Sequence, residues 1–326
     1  SKGGTYVTTR HVEANTADVN ITTSVENHSK ATTNLILESK IKEANGKIVA
    51  STRSAIVLKR STSKEGEQRV KIDKPALWSV DSPNLYSLES VVWSGDKIVD
   101  EYHTPFGIRS FNFDPDNGFS LNGQPLKMKG VNLHQDAGAL GTAVPYKVYE
   151  RRLKILKAYG CNAIRCSHNP SSPEFLDLCD RLGFLVIDEA FDKWKSGYYA
   201  QYFDQWWQKD LDGMLRRDRN HPSIIMWSVG NEVVEQDYKT TEGRDRANML
   251  QDYVHRTEPT RPVMLAIAPD NLSERNYNKT GFTEVMDIVG YNYQEPWYLD
   301  DKKEFPRRIM FGSEVFPFFR GRKENI

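Results

Sequence analysis

The sequence predicts a β-sandwich followed by a parallel (β/α) barrel, and three observations carry that prediction. Residues 5 to about 112 have the two-residue period of half-buried strands. From about residue 119, short apolar runs alternate with helical stretches. No glycine-rich dinucleotide or phosphate loop accompanies those runs, which favours a barrel over a doubly wound sheet.

In the first part, the segments Thr5–Thr9, Val19–Val25, Asn34–Ser39, Ser54–Leu58 and Tyr86–Trp93 are β-branched and roughly alternating. Glu26–His28, Ala44–Lys47 and Ser94–Lys97 separate some of them. The Asn-Gly and Gly-Asp pairs within the last two tolerate the positive φ that hairpins need. An antiparallel sandwich of about 100 residues is expected from such strands. His11, His28 and His103 are isolated there and read as surface residues.

The second part has seven apolar runs: Leu126–Leu133, Ala163–Cys166, Phe184–Asp188, Ile224–Val229, Val263–Ile267, Asp287–Tyr291 and Arg308–Gly312. Helices are expected between them. Tyr149, Leu153 and Leu156 share one helical face, which Gly160 ends. Ser171-Ser172-Pro173-Glu174 reads as a capping box opening a second helix, with Phe175, Leu176, Leu178, Cys179 and Leu182 on its apolar face and Gly183 as its C-terminal cap. Phe203, Trp206, Trp207, Leu211 and Leu215 mark a third. The expected boundaries are 1–112 for the sandwich and 113–326 for the barrel, the latter partial, running through its seventh strand.

Composition narrows the function. The 326 residues carry 44 Lys and Arg against 44 Asp and Glu, a balance that argues against a nucleic-acid partner held by phosphate contacts. No apolar run reaches the roughly 18 residues needed to span a membrane. The start at Ser1 is neither a Met nor a signal peptide, and the compartment stays open. Cys161, Cys166 and Cys179 are too few for a disulfide scaffold, lack a zinc spacing, and read as buried thiols.

A parallel barrel holds its active site at the C-terminal ends of its strands. The polar residues following the runs are Asn132 with His134, Arg165 with His168 and Asn169, Asp188 with Glu189, Asn231 with Glu232, Asn292 with Tyr293, and Glu314. This set suits sugar chemistry. Paired carboxylates do acid/base and nucleophilic work, amides and imidazoles bind hydroxyls, and aromatics stack on pyranose faces. Glu232 ends the fourth run and Glu314 the seventh, so they are expected to face each other across the ring. A carboxyl separation of about 5 Å would give retention, and about 6.5–9.5 Å inversion. Glu189 also follows a strand but reads as an ion-pair partner of Arg165 or a supporting group. His221 precedes its strand and reads as structural.

At these residues the chain resembles glycoside hydrolase family 2, and within it the β-galactosidase branch. The resemblance rests on Gly130-Val131-Asn132-Leu133-His134, on Asn162–Pro170, on Leu178–Ala190 and on the long run Arg217–Glu232. Phe106-Gly107-Ile108-Arg109-Ser110 looks like the family's junction between its immunoglobulin-like domain and its barrel. The likeness covers essentially the whole chain and is strongest over 106–235. It implies an immunoglobulin-like β-sandwich followed by a (β/α)8 TIM-type barrel, incomplete at the C-terminus.

The resemblance further implies a retaining glycosidase acting on terminal β-linked sugars, foremost β-galactosides. Glu232 would be the acid/base and Glu314 the nucleophile. Asn231 would bond the sugar 2-hydroxyl, and Arg165 would hold the nucleophile ionised. His134 and His168 would contact sugar hydroxyls, with Tyr293 beside the nucleophile. Lys193 and Lys195 stand where metal-dependent members carry Glu and His, so no metal and no other cofactor is expected. Pro317 replaces a His that follows the nucleophile in that branch. The chain reads as an internal piece of a larger enzyme. The alternatives are β-glucuronidase or β-mannosidase action, an endo-acting hydrolase, and a catalytically silent fragment serving as a structural or carbohydrate-binding module. The expected partner is a carbohydrate substrate, with neither nucleic acid nor membrane, and a homo-oligomer is left open.

Overall fold

The computed structural model describes residues 4–13, 15–268 and 275–316. The first part is a sandwich of two antiparallel sheets. One holds β1 (Thr5–Glu13), β2 (Thr16–Glu26) and β5 (Ser63–Asp73) in the order β1-β2-β5. The other holds β3 (Thr33–Glu43), β4 (Ile48–Leu58), β6 (Tyr86–Ser94) and β7 (Lys97–Phe106) in the order β4-β3-β6-β7. Alternation along β2 puts Ala17, Val19 and Ile21 inside, against Ile41, Leu88 and Phe106 of the facing sheet. The sequence reading did not identify β5 and β7. Both lie at the edges of their sheets, are largely exposed and are rich in charge, which keeps edges from pairing with other chains and hides the alternating pattern.

A small sheet follows, ordered β10-β9-β8, from β8 (Phe111–Asp114), β9 (Gly118–Leu121) and β10 (Gln124–Pro125). Phe119 and Leu121 of β9 join Trp78 and Val80 in closing the floor of the barrel. They pack against the inward residues Leu185, Ile187, Met264 and Ile288.

Among the described residues the barrel is one parallel sheet of seven strands in sequence order: β11 (Gly130–Leu133), β12 (Ala163–Cys166), β13 (Leu185–Glu189), β14 (Ile224–Asn231), β15 (Val263–Ile267), β16 (Ile288–Asn292) and β17 (Met310–Glu314). All residues of β12 through β16 are buried, as expected of strands covered on both faces, whereas β11 at the sheet's edge is exposed or half-buried. The first and last strands meet through Asn132 Nδ2, which donates to the Ser313 carbonyl at 3.0 Å.

Around the sheet lie α1 (Tyr146–Ala158), α2 (Pro173–Leu182), α3 (Ala200–Asp218), α4 (Glu242–Thr257), the short α5 (Asn276–Lys279) and α6 (Tyr298–Glu304). Their apolar faces pack on the outward strand residues Ile164, Cys166, Val186, Trp227 and Leu265. The N-terminal cap of α2 is Ser172 and makes no side-chain bond to the helix, so the expected capping box does not form; Pro173 takes the first helical position instead. Cys161, Cys166 and Cys179 are free and buried. Among the described residues no helix is long and apolar enough to cross a membrane.

The sandwich and the barrel floor share polar contacts. Tyr6 donates to Glu258 at 2.6 Å, Arg109 to the Ile224 carbonyl at 2.8 Å, and Trp78 Nε1 to the Asp180 carbonyl at 2.9 Å. His221 lies on this side, its Nδ1 2.6 Å from Asp180. Gly183 ends α2 with φ +71°, and a Cβ there would lie 2.3 Å from the Val80 carbonyl oxygen. Left-handed strain and this backbone clash act together. Gly183→Ala is therefore expected to destabilise the chain by about 2–4 kcal/mol, read as a lowered midpoint in thermal unfolding.

Candidate active site

Strand alternation decides which side chains reach the barrel's mouth. In β12 the residues Ala163 and Arg165 point inward. The same side of β13 carries Leu185, Ile187 and Glu189, and that of β16 carries Ile288, Gly290 and Asn292. Each strand thus runs from an apolar floor to one polar residue at its C-terminal end.

Arg165 ties these ends together. Its Nε and Nη2 donate to Glu189 Oε2 at 3.0 and 2.8 Å, and Nη2 also to Asn231 Oδ1 at 2.8 Å. Its Nη1 donates to Glu314 Oε1 at 2.7 Å and to Asn132 Oδ1 at 3.2 Å. The guanidinium is 3% exposed and Glu189 0%, so this is a buried charge network in which one cation bonds both carboxylates. Burial disfavours the Arg165 cation, yet Glu189 and Glu314 more than compensate and hold it more firmly protonated than usual.

Glu314 closes the far side. Tyr293 Oη donates to its Oε2 at 2.7 Å, and His168 Nε2 lies 3.8 Å from Oε1. Partial burial pushes this carboxyl up. Hydrogen bonds from Tyr293 and Arg165, with the Arg165 charge, outweigh that and bring it below the usual glutamate range. The same bond pushes the Tyr293 phenol up to about 12, so it stays a donor.

Glu232 follows β14 and belongs to the same network. Asn292 Nδ2 donates to Glu232 Oε1 and to Asn231 Oδ1, each at 3.0 Å, while Ser313 Oγ donates to Asn292 Oδ1 at 2.6 Å. Glu232 and Glu314 are thus linked through Asn292, Asn231 and Arg165. Both remain partly exposed, at 31% and 15%, where most of the network is sealed. Glu232 adopts φ +48° and Tyr293 φ +55°, conformations that side chains rarely take and that sites exploit to aim a group.

The remaining candidates fall into two groups. His168 Nδ1 lies 2.7 Å from Glu189 Oε1, and the His134 ring stands edge-on to it with centroids 5.2 Å apart. These histidines border the opening. Asp188 points instead to the helix layer, where burial and the charge of Asp218 push its carboxyl well up. Asn169 donates to the Pro170 carbonyl at 3.1 Å. Pro317 lies outside the described residues. Sequence reasoning missed Ser228, whose hydroxyl donates to Glu189 at 2.6 Å, and Asp192, which accepts from Asn231 Nδ2 at 3.1 Å. Asp192 follows its strand by three residues, a signal no stronger than that of any loop acid.

Among the described residues two groupings of acids with a histidine are close enough to share a metal ion. They are Glu89, Glu101 and His103 in the sandwich, and Asp177, Asp180 and His221 near the barrel floor. Neither lies at the mouth. Chemically, the mouth offers an ionised carboxylate, a second carboxyl held by an amide, and several hydroxyl-binding groups around one opening. That inventory can perform a displacement at an acetal carbon with proton transfer to the departing oxygen.

Known proteins share the chain's architecture. Residues 115–305 match the description "Glycosyl hydrolases family 2, TIM barrel domain", and residues 4–109 match "Glycosyl hydrolases family 2". The chain is 41% identical over 344 residues to the β-galactosidase BoGH2A of Bacteroides ovatus, covering 95% of the chain and 40% of that protein. It is 30% identical over 285 residues to the β-glucuronidase of Rattus norvegicus, covering 81% of the chain and 39% of that protein. A solved structure of a glycosyl hydrolase family 2 member from Bacteroides cellulosilyticus superimposes with a TM-score of 0.90 at 40% identity, over 97% of the chain and 40% of that structure. The chain spans about two fifths of the length of these relatives. From its sandwich to the polar ends of its barrel strands, it belongs to glycosyl hydrolase family 2.

Proposed function

We propose that this chain carries the catalytic centre of a retaining glycosidase that removes terminal β-linked sugars, foremost β-galactosides. Glu314 attacks the anomeric carbon and forms a glycosyl ester. Glu232 gives its proton to the glycosidic oxygen as that bond breaks. It then takes a proton from the water that attacks the ester, releasing the sugar and restoring both carboxyl groups. Asn231 accepts from Arg165 and Asn292 and donates to Asp192, an arrangement suited to orienting its amide toward a sugar hydroxyl. His134 and His168 border the same opening and would bind further hydroxyls.

The observation that carries this reading is the contrast between the two carboxyl groups. Glu314 takes direct hydrogen bonds from a cation and a phenol, as an ionised nucleophile requires, whereas Glu232 accepts from the neutral amide of Asn292. The galactose preference is supported by the name of the relative at 41% identity. Relatives named β-glucuronidase keep that sugar acid as the competing substrate. Nitrophenyl β-galactoside, β-glucuronide and β-mannoside, compared in one assay, separate these cases. Fastest release from the galactoside is expected, and fastest release from either of the others overturns the sugar assignment. A folded protein inactive on all three would favour a silent binding module.

A further inference from the structure

Glu232 is held in an unusual backbone conformation, and the peptide that sets it is fixed from both sides. The Glu232 N–H donates to the Ala266 carbonyl at 2.8 Å on β15. On the other side of that peptide, the Asn231 carbonyl accepts from Lys193 Nζ at 2.9 Å. The same ammonium reaches Asp192 Oδ1 at 2.9 Å and lies 3.9 Å from Glu232 Oε2. The ammonium therefore bonds a backbone carbonyl and a carboxylate and stands within ion-pair distance of the outer oxygen of Glu232.

We propose that Lys193 is a positioning residue for Glu232, which clamps the Asn231–Glu232 peptide and places a fixed cation beside the carboxyl as it gives up its proton. This rests on the reading of Glu232 as the acid/base. When the glycosidic oxygen takes the proton, negative charge develops on Glu232, and an ammonium already in place stabilises it without having to reorganise.

Two features separate this role from plain structural support. The loop carrying Lys193 is anchored to β14 without it, because the Asn231 N–H donates to the Asp192 carbonyl at 2.9 Å and the fully buried Trp194 donates from Nε1 to the Val229 carbonyl at 2.7 Å. The Asn231 side chain is likewise held by Arg165, Asn292 and Asp192. Losing the ammonium should therefore disturb proton transfer and leave sugar binding in place.

The test compares Lys193→Met, Lys193→Arg and Glu232→Ala in the active enzyme, on phenyl and 2,4-dinitrophenyl β-galactosides. Phenol is a poor leaving group that needs the proton; dinitrophenolate leaves without it. Lys193→Met should lower kcat/KM on the phenyl glycoside by about 10–100-fold, as expected for a cation about 4 Å away in a partly screened site. It should change the dinitrophenyl value by less than about threefold and leave the thermal midpoint near that of the parent. Lys193→Arg, which restores charge and donors, should recover most of the loss. Equal losses on both substrates, no loss on either, or failure of Lys193→Met to fold overturns the proposal, since folding is assigned to Trp194. If Glu232→Ala itself shows no dependence on the leaving group, the acid/base reading has failed. If it shows the dependence and Lys193→Met does not, only the role of Lys193 has failed.

Discussion

Glu314→Gln is expected to lower turnover by a factor on the order of 10⁴ or more, measured as nitrophenol release from the preferred glycoside. The amide cannot form the glycosyl ester, and the isosteric change leaves the surroundings largely in place. Arg165 keeps both bonds to Glu189, so the buried cation retains a counter-charge and the fold should survive. Circular dichroism and the thermal midpoint should stay close to those of the parent. A variant within tenfold of parental activity would remove Glu314 as the nucleophile.

A milder change tests the same physics. Tyr293→Phe deletes one of the hydrogen bonds that keep Glu314 below the usual range. The carboxyl then protonates at higher pH, so the acid limb of the kcat/KM profile should move to higher pH. An unmoved limb would mean that this bond does not set the nucleophile's ionisation.

Glu232→Ala is expected to show the second large effect, and its signature is selective. General acid catalysis contributes about 10²–10⁴-fold, and only where the leaving group needs a proton. Glycosides with poor leaving groups should lose that much in kcat/KM, while a dinitrophenyl glycoside should stay within about tenfold. Added azide should raise turnover of the dinitrophenyl substrate, because a small anion can attack the glycosyl ester without a base. Equal losses on both substrates would reject the acid role. The substitution also frees Asn292 Nδ2 from one acceptor but leaves Asn231 Oδ1 as the other, so no buried donor is stranded.

Much of the fold could be read along the chain because its patterns are local. The seven apolar runs, the helix opening at Pro173 and closing at Gly183, and the turn pairs in the sandwich each depend on residues within a few positions of one another. The edge strands Ser63–Asp73 and Lys97–Phe106 escaped because their exposed charges obscure the alternation. The capping box failed because serines stand at both 171 and 172, and the helix starts from the second.

For the site, the chain alone determined which carboxylates end the fourth and seventh strands, because strand ends follow from the apolar runs. Tertiary structure decided what those carboxylates touch. Neither the sealed position of Glu189 beneath His168, nor the bridge from Asn292 to Glu232, nor the approach of Lys193 to the Asn231 carbonyl has a signature in local spacing. Each depends on the register of neighbouring parallel strands and on the curvature that brings distant strand ends to one mouth. Register and curvature are collective properties of the sheet, whereas periodicity belongs to a single segment.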